Sequence, residues 1–246
     1  MEAGRHCAAR QGDDEPFHGR TRSRRCAMVM HHYSEKRPII VIGQGGHGRV
    51  LMEIVRVSPQ YRLTAIADDR YAEVTLCAGL PYGPINAVPL MLEDEPAAQV
   101  VIGIGDNKTR RAIAERLGLA DLSYAALVHP GAHVAGDVRL GPGAVVMPGA
   151  VIGPGAVIGA HAIVNSGAVV EHDAIVGPFA HVSPNGTLAG AASVMEGAHV
   201  GSGAVLIPGV RLGRWSVLGA GGVAIRDVPD ATTAVGVPAR AITQHG

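Results

Sequence analysis

A histidine with acidic residues on both sides stands out among the residues that could do chemistry. His172 lies between Glu171 and Asp173. A histidine of ordinary pKa, about 6.5, can accept a proton near neutral pH, and a neighbouring carboxylate can orient the ring and raise its pKa. The pattern is compatible with a general base, although an exposed histidine without a function would look the same.

A glycine-rich turn is the second such feature, with the sequence Gly43-Gln44-Gly45-Gly46-His47-Gly48. Where a turn of this kind joins a strand to a helix, its exposed amides and the helix dipole favour an anion such as a phosphate. Its glycines also satisfy the dinucleotide pattern G-x-G-x-x-G, for which an acidic residue is expected about 20 residues later. Asp68 and Asp69 stand at that distance, but the same pair could simply end a strand.

The residues around this turn alternate between strand and helix patterns. We predict strands over residues 39–42, 63–67 and 99–104 and helices over residues 50–57 and about 108–117. This alternation predicts a small Rossmann-like parallel sheet. The segment is too short for a full six-stranded dinucleotide fold and offers half a site, enough for one nucleotide.

A six-residue period governs the rest of the chain. Every sixth residue from 128 to 224 is aliphatic or alanine, without a gap: Val128, Val134, Leu140, Val146, Ile152, Ile158, Val164, Val170, Val176, Val182, Leu188, Val194, Val200, Leu206, Leu212, Leu218 and Ala224. This period predicts a β-helix with three flat sides, in which each aliphatic residue points inward and residues eighteen apart stack. Gly and Pro would form the corners, where φ is positive or fixed.

The coil length relates the polar residues to one another. Gly190 lies eighteen residues after His172, hence one coil further along, where its amide could stabilise an oxyanion. His181 lies only nine residues after His172, half a coil away. His181 and His199 are predicted to stack, but two histidines without a carboxylate make a poor metal site, so we expect no metal.

Composition excludes several classes of function. Lys+Arg and Asp+Glu both number 21, which gives no basic field for nucleic acid. The 3 cysteines have neither disulfide nor metal-site spacing and suit a reducing cytoplasm. No run of 18 apolar residues and no secretory signal is present, so we expect no membrane span.

We therefore predict an α/β domain followed by an all-β one. Residues 1–37 form a charged extension, predicted to be disordered, although its arginine cluster could instead be a basic contact patch. Residues 38–127 form the sheet domain, and residues 128–246 form the β-helix.

The two domains together resemble one known family. The segments VIGQGGHGRV, ADD, IGIGDNKTRR, NSGAVVEHD, FAHVSPN and VGVPAR, over about residues 38–240, are similar to those of the hexapeptide-repeat sugar O/N-acyltransferases. This family includes bacillosamine-pathway UDP-4-amino-sugar N-acetyltransferases and sialic acid O-acetyltransferases. The resemblance implies a left-handed β-helix, acetyl-CoA as co-substrate, a nucleotide-sugar substrate and a homotrimer with active sites between subunits.

The resemblance also implies a role for individual residues. His172 would be the general base and Asp173 would tune it, while Asn165 would lie near the substrate amine. Acetyl-CoA would contact His181, Gly190, Ser202 and Ala220, with Gly190 as the oxyanion donor. The phosphate and sugar would meet Gly45, Gly46 and His47, the uridine would meet Asp68 and Asp69, and Gly105 would allow close approach of the ligand.

Four interpretations follow. The favoured one is an N-acetyltransferase acting on a UDP-4-amino-4,6-dideoxy-sugar by direct transfer, since no Ser or Cys nucleophile constellation is present. An O-acetyltransferase would use the same base and co-substrate on a hydroxyl. A non-catalytic scaffold would need neither His172-Asp173 nor the glycine turn. Redox chemistry on a sugar nucleotide is disfavoured by the half-sized sheet.

Overall fold

The computed structural model describes residues 36–244, with side chains up to residue 242. Residues 1–35 of the predicted disordered extension lie outside the described residues, and so do Cys7 and Cys26. Cys77 is a free, exposed thiol. Among the described residues, no helix is long and apolar enough to cross a membrane.

The first half of the described chain is a five-stranded sheet with helices, in the strand order β3-β4-β2-β1-β5. The pairs β1–β2, β1–β5 and β2–β4 are parallel, whereas β3 and β4 form an antiparallel hairpin. The elements are β1 Arg37–Ile42, α1 Gly46–Val57, β2 Tyr61–Ala67, β3 Thr75–Cys77, β4 Leu80–Gly83, α2 Val88–Asp94, β5 Gln99–Ile102 and α3 Asn107–Leu117.

The predicted helix α1 was too short at its N-terminus. It begins at Gly46, with Gly45 as the N-cap, rather than at residue 50. The glycines belong to its first turn because α1 crosses the end of β1 closely: a Cβ on Gly48 would collide with the carbonyl oxygen of Gly43. The strand predicted over 99–104 ends at Ile102, and the hairpin and α2 were not predicted.

The second half is a parallel β-helix, as the six-residue period predicted, and it is left-handed, as the family resemblance implied. Its three faces carry the strand orders β7-β10-β13-β16-β19-β22, β8-β11-β14-β17-β20 and β6-β9-β12-β15-β18-β21-β23-β24. The strands are β6 Leu127–Val128, β7 His133–Val134, β8 Arg139–Leu140, β9 Val145–Val146, β10 Val151–Ile152, β11 Val157–Ile158, β12 Ile163–Val164, β13 Val169–Val170, β14 Ile175–Val176, β15 His181–Val182, β16 Thr187–Leu188, β17 Ser193–Val194, β18 His199–Val200, β19 Val205–Leu206, β20 Arg211–Leu212, β21 Val217–Leu218, β22 Val223–Ala224, β23 Thr232–Val235 and β24 Arg240–Gln244.

The interior of the β-helix is the predicted column of aliphatic residues and small alanines, most of them fully buried. A second cluster joins the halves: Leu127, Val145 and Met147 of the β-helix pack against β1 and α1. Parallel pairing in steps of eighteen residues, such as His181 with His199, confirms that each coil contains three repeats.

The corners follow the same period, but glycine does not fill them all. Residues with positive φ recur every six positions from residue 143 to 221. Eight of these are Gly, whereas the others are His161, Asp173, Phe179, Asn185, Ala191 and Trp215. A residue other than glycine in this region costs about 1–2 kcal/mol. The corners therefore hold side chains despite a backbone cost.

Candidate active site

The His172 pair lies at a corner of the β-helix, in the turn between β13 and β14. His172 Nδ1 is 2.9 Å from Asp173 Oδ2, and both side chains are exposed. Because a carboxylate accepts this hydrogen bond, the proton of the neutral ring sits on Nδ1 and the lone pair on Nε2. The hydrogen bond that His172 donates to Asp173 is the main cause that raises the pKa of His172. The pair has the geometry of a base held in one tautomer.

Gly190 lies next to this histidine on the following coil. A Cβ on Gly190 would lie 2.5 Å from His172 Nε2, so only glycine allows the His172 ring to occupy this position. The N–H of Ala191 donates to the His172 carbonyl at 2.9 Å, whereas the N–H of Gly190 donates to nothing within residues 36–244. One corner thus presents a base nitrogen and a free backbone donor side by side.

Asn165 and His181 form a second group at a different corner. Asn165 Nδ2 is 3.0 Å from His181 Nε2, and the Ser166 N–H donates to Asn165 Oδ1 at 2.8 Å. Since Asn165 Nδ2 can only donate, His181 Nε2 is the acceptor and its proton sits on Nδ1. Burial, followed by the positive fields of His199, Arg110 and His47, lowers the pKa of His181 to about 3. His181 is therefore a fixed neutral group at physiological pH.

His199 extends this group by one coil. Its ring stacks on His181 with centroids 5.0 Å apart and an interplanar angle of 4°. Its Nε2 lies 2.7 Å from Ser183 Oγ, a contact that the sequence analysis missed. Within the described part of the chain, no group of three or more His, Cys, Asp or Glu residues is arranged to hold a metal ion.

The glycines of the sheet domain divide into two kinds. Gly43, Gly48 and Gly103 are required by close packing, because a Cβ on Gly103 would lie 2.7 Å from the Gly48 Cα. A Cβ on Gly45, Gly46 or Gly105 would meet nothing within 4 Å. These last three glycines, all predicted to bind substrate, border open space at the N-terminal ends of α1 and α3.

His47 links the glycine turn to the β-helix. It lies in the first turn of α1, with its ring centroid 6.4 Å from that of His181. Burial, followed by the positive field of Arg110, lowers the pKa of His47 to about 4. Its Nε2 is buried without a hydrogen-bond partner among the described residues. His47 is thus a neutral polar group at the junction of the two domains.

The two predicted uridine contacts already bind protein groups. Asp68 accepts the Gln44 N–H at 2.6 Å and the Arg70 N–H at 3.0 Å, so it holds the glycine turn. Burial opposes ionisation of Asp68, but these hydrogen bonds outweigh it and lower its pKa.

Asp69 is engaged in the same way. It accepts from both terminal nitrogens of Arg116, at 3.0 and 3.2 Å, and from the Ile85 N–H at 3.1 Å. The hydrogen bond from Arg116 is the main cause that lowers the pKa of Asp69. An exposed carboxylate edge remains, because the Asp69 side chain is 54% accessible.

An aromatic pair lies beside the glycine turn, and the sequence did not reveal it. Tyr71 Oη donates to Gln44 Oε1 at 2.6 Å, and the rings of Tyr71 and Tyr82 lie 5.5 Å apart. No spacing signal in the sequence singled out these tyrosines.

A cleft of about 1040 Å³ separates the start of α3 from the third face of the β-helix. Its lining includes Gly105, Asn107, His181, His199 and Trp215. The cleft therefore unites two predicted site residues, Gly105 from the sheet domain and His181 from the β-helix.

Other predicted residues lie apart from this cleft. Ser202 and Ala220, eighteen apart, occupy successive coils of one exposed corner, where the Gly221 N–H donates to the Ser202 carbonyl at 2.9 Å. His172 and Gly190 lie on another corner, half a coil from His181. One chain thus divides the predicted site residues into separate groups.

Comparison with known proteins assigns the chain to a family. Residues 38–117 match the PglD N-terminal domain family. A UDP-N-acetylbacillosamine N-acetyltransferase from Bacillus subtilis is 44% identical over 111 residues, which cover 44% of this chain and only half of that relative.

Solved structures cover the chain more fully. A variant of GDP-perosamine N-acetyl transferase from Caulobacter crescentus, in complex with CoA and GDP-perosamine, is 38% identical with a TM-score of 0.76, covering 84% of this chain and 97% of that one. The acetyltransferase domain of PglB from Neisseria gonorrhoeae, in complex with acetyl coenzyme A, is 32% identical with a TM-score of 0.74, covering 84% of this chain and 100% of that one. The chain belongs to the hexapeptide-repeat sugar acyltransferase family, and the relatives named above are acetyl-CoA-dependent sugar acetyltransferases.

Proposed function

We propose that this protein transfers the acetyl group of acetyl-CoA to the amino group of a nucleotide-linked amino-sugar. The observation that carries the proposal is the corner at which His172 Nε2 and the free Gly190 N–H lie side by side, with Asp173 behind the ring. A base and an oxyanion donor at one point are what direct acyl transfer requires.

The residues give a balanced reaction. His172 Nε2 takes a proton from the attacking amine as the amine nitrogen bonds to the thioester carbonyl carbon. The Gly190 N–H donates to the oxygen that becomes negative. As the C–S bond breaks, the protonated His172 returns the proton to the CoA sulfur, giving CoA thiol and the N-acetyl sugar. Asp173 stabilises the imidazolium throughout.

The sheet domain would hold the nucleotide-sugar. Gly45, Gly46 and Gly105 border the open space that a diphosphate and sugar need, and the amides of the first turn of α1 suit an anion. His47 would contact the sugar or phosphate as a neutral hydrogen-bonding group. Asp68 would act chiefly by holding the turn, and Asp69 by offering its exposed edge to the base.

A UDP-4-amino-4,6-dideoxy-sugar remains the favoured substrate. The Bacillus relative is named for a UDP-linked sugar and the Caulobacter structure contains a GDP-linked one. Both nucleotides therefore belong in the assay.

The β-helix would bind acetyl-CoA, and the active site would need two subunits. In one chain His172 and His181 are half a coil apart, so we propose a homotrimer in which His172 of one subunit faces His181 and Asn165 of the next. Ser202 and Ala220 would line the CoA channel on that corner of the next subunit.

We also propose that the chain consists of the sheet domain over 38–127 and the β-helix domain over 128–246. The protein would work in a reducing cytoplasmic compartment.

The test is release of CoA thiol from acetyl-CoA by the purified protein. UDP-linked and GDP-linked 4-amino-sugars are compared with their 4-hydroxy analogues, and the His172→Ala variant is assayed in parallel. We expect release that requires an amino-sugar, yields an amide product by mass spectrometry and falls by about 10²–10⁴-fold in the variant. Release only with a hydroxyl acceptor would replace the proposal with O-acetylation. Equal release by the variant would remove His172 from the mechanism.

A further inference from the structure

Three stacked carbonyl groups at one corner of the β-helix accept hydrogen bonds from α3. The corner residues are His161, Phe179 and Gly197, which are eighteen residues apart and have positive φ. Arg110 Nε donates to the His161 carbonyl at 2.8 Å, and Arg110 Nη2 donates to that of Phe179 at 2.7 Å. Asn107 Nδ2 donates to that of Gly197 at 3.1 Å. Helix α3 is therefore hydrogen-bonded to three successive coils of the β-helix.

The same guanidinium also binds the segment that precedes α3. Arg110 Nη1 donates to the carbonyl oxygens of Ile104 at 2.9 Å and Gly105 at 3.1 Å, and Nη2 donates to Asn107 Oδ1 at 2.9 Å. All five N–H donors of the group are thus used, and the residue is 1% exposed. A lysine has only three donors and no planar fork, so it cannot reproduce this arrangement.

Arg110 carries its charge without a carboxylate among these five partners. Burial lowers its pKa to about 10, so the group remains protonated at neutral pH. Removing one side of a buried polar network is costly, because within residues 36–244 the carbonyls of Ile104, His161 and Phe179 accept from no other donor. Such a network fixes geometry more than it adds stability.

The two walls that Arg110 joins are the walls of the cleft. The Gly105 segment lies on the sheet-domain side and His181 on the β-helix side. The proposed reaction brings an amine held by the first domain to a thioester held by the second. Reacting atoms must approach to about 3–3.5 Å, and a misplacement of about 1 Å can cost about 10²-fold in rate.

We propose that Arg110 is a positioning residue that sets the distance between the Gly105 segment and the His181 face, and so aligns the two substrates. This role rests on the proposed acetyl transfer. Arg110 belongs to the second half of the IGIGDNKTRR segment, and the proposal gives that half a function. Arg110 would not touch the substrates itself but would act through Gly105 and His181.

The histidines around Arg110 provide an independent readout. Its positive field lowers the pKa of His47, His161, His181 and His199, in each case after the larger effect of burial. The other charged groups that influence this cluster are Asp106 at the start of α3 and Asp121 in the turn after it. Loss of the Arg110 charge should therefore raise the pKa of each ring, while that of the distant His172 stays unchanged.

The kinetic test compares Arg110→Met and Arg110→Lys with two controls. Arg62→Met removes an exposed arginine that is paired with Glu95. Val88→Ala weakens the buried core of the sheet domain without touching the cleft. All proteins are assayed well below their melting temperatures.

We expect kcat to fall about 10²-fold in Arg110→Met and at least about 10-fold in Arg110→Lys, while the nucleotide-sugar KM changes less than about threefold. Both controls should keep the wild-type kcat. Wild-type kcat in a folded Arg110→Lys protein would overturn the proposal. The proposal would also fail if Val88→Ala, at the same thermal stability as Arg110→Met, lost as much kcat as Arg110→Met does.

Histidine ring titrations by NMR make the proposal testable apart from the reaction. In Arg110→Met the ring signals of His47 and His181 should titrate at higher pH than in the wild type, and in Arg110→Lys by less. Unchanged titrations in both variants would overturn the proposal. If the wild type acetylates no nucleotide-sugar, the proposed function fails, and the NMR result alone decides whether Arg110 controls this junction.

Discussion

At the scale of single residues, two histidines of one β-helix have opposite electrostatic settings. His172 is exposed and its pKa is raised, chiefly by the hydrogen bond that it donates to Asp173. His181 is buried and its pKa is lowered to about 3. Only His172 can exchange a proton near neutral pH. His181 stays neutral at that pH, and its Nδ1 is buried without a hydrogen-bond partner among the described residues.

Removing the carboxylate beside His172 should change the pH profile. The raised pKa moves the acidic limb of kcat/KM to higher pH than an unpaired histidine would give, because the base must first lose its proton. We expect Asp173→Ala to move that limb to lower pH and to reduce the plateau about 10-fold. Alanine is tolerated there, since Ala191 has φ 57° at the same corner one coil later. An unshifted limb, measured by CoA thiol release across pH, would contradict a coupled pair.

Adding one methyl group next to His172 should disturb the same site. In Gly190→Ala the new Cβ would lie 2.5 Å from His172 Nε2, so the ring must turn away from its place. We expect kcat to fall about 10²-fold with the thermal midpoint nearly unchanged. Gly136→Ala is the matched control, because Gly136 lies at the same corner three coils earlier and a Cβ there meets nothing. Equal kcat for the two variants would show that His172 need not hold this position.

At the scale of elements, the sequence predicted the β-helix well because every six-residue repeat buries one aliphatic side chain at the same position. Val170, Val176 and Val182 each point inward, and a one-residue slip would expose all of them. The corners were predicted less well, since Asp173 and Trp215 adopt a backbone conformation usually assigned to glycine. The start of α1 was misplaced because glycine has a low helix propensity and the close contact of Gly48 with Gly43 overrides it.

The corner conformation itself predicts a stability change. Ala191 has φ 57°, which costs about 1–2 kcal/mol for alanine, whereas glycine adopts it freely. After the larger entropy loss of glycine is subtracted, we expect Ala191→Gly to raise the free energy of unfolding by about 0.5–1 kcal/mol. Ala189→Gly, two residues earlier in ordinary backbone, should lower it by a similar amount. Urea denaturation of both variants tests this, and a loss of stability in Ala191→Gly would contradict the account.

At the scale of the whole molecule, the site depends on contacts that no local pattern reveals. Arg110 binds the carbonyls of His161 and Phe179, which are 51 and 69 residues away in sequence. In the sequence this arginine is one residue of the predicted helix over about 108–117 and nothing more, because a backbone carbonyl carries no residue signature. The predicted pairs that did meet, such as His181 with His199, are separated by one coil, where the repeat fixes the geometry.

The proposed trimer predicts that two inactive variants restore each other. If His172 of one subunit works with His181 of the next, a co-expressed mixture of His172→Ala and His181→Ala chains contains some sites with both histidines. Random assembly into closed cyclic trimers gives about a quarter of all sites this intact pair. We therefore expect the mixture, isolated as a trimer by size-exclusion chromatography, to recover about a quarter of wild-type thiol release. The double variant mixed with either single variant should recover nothing, because all chains in such a mixture lack the same histidine and no pairing restores a site. Activity no higher than that of the separate variants would mean that each subunit holds its own site or that His181 is not required.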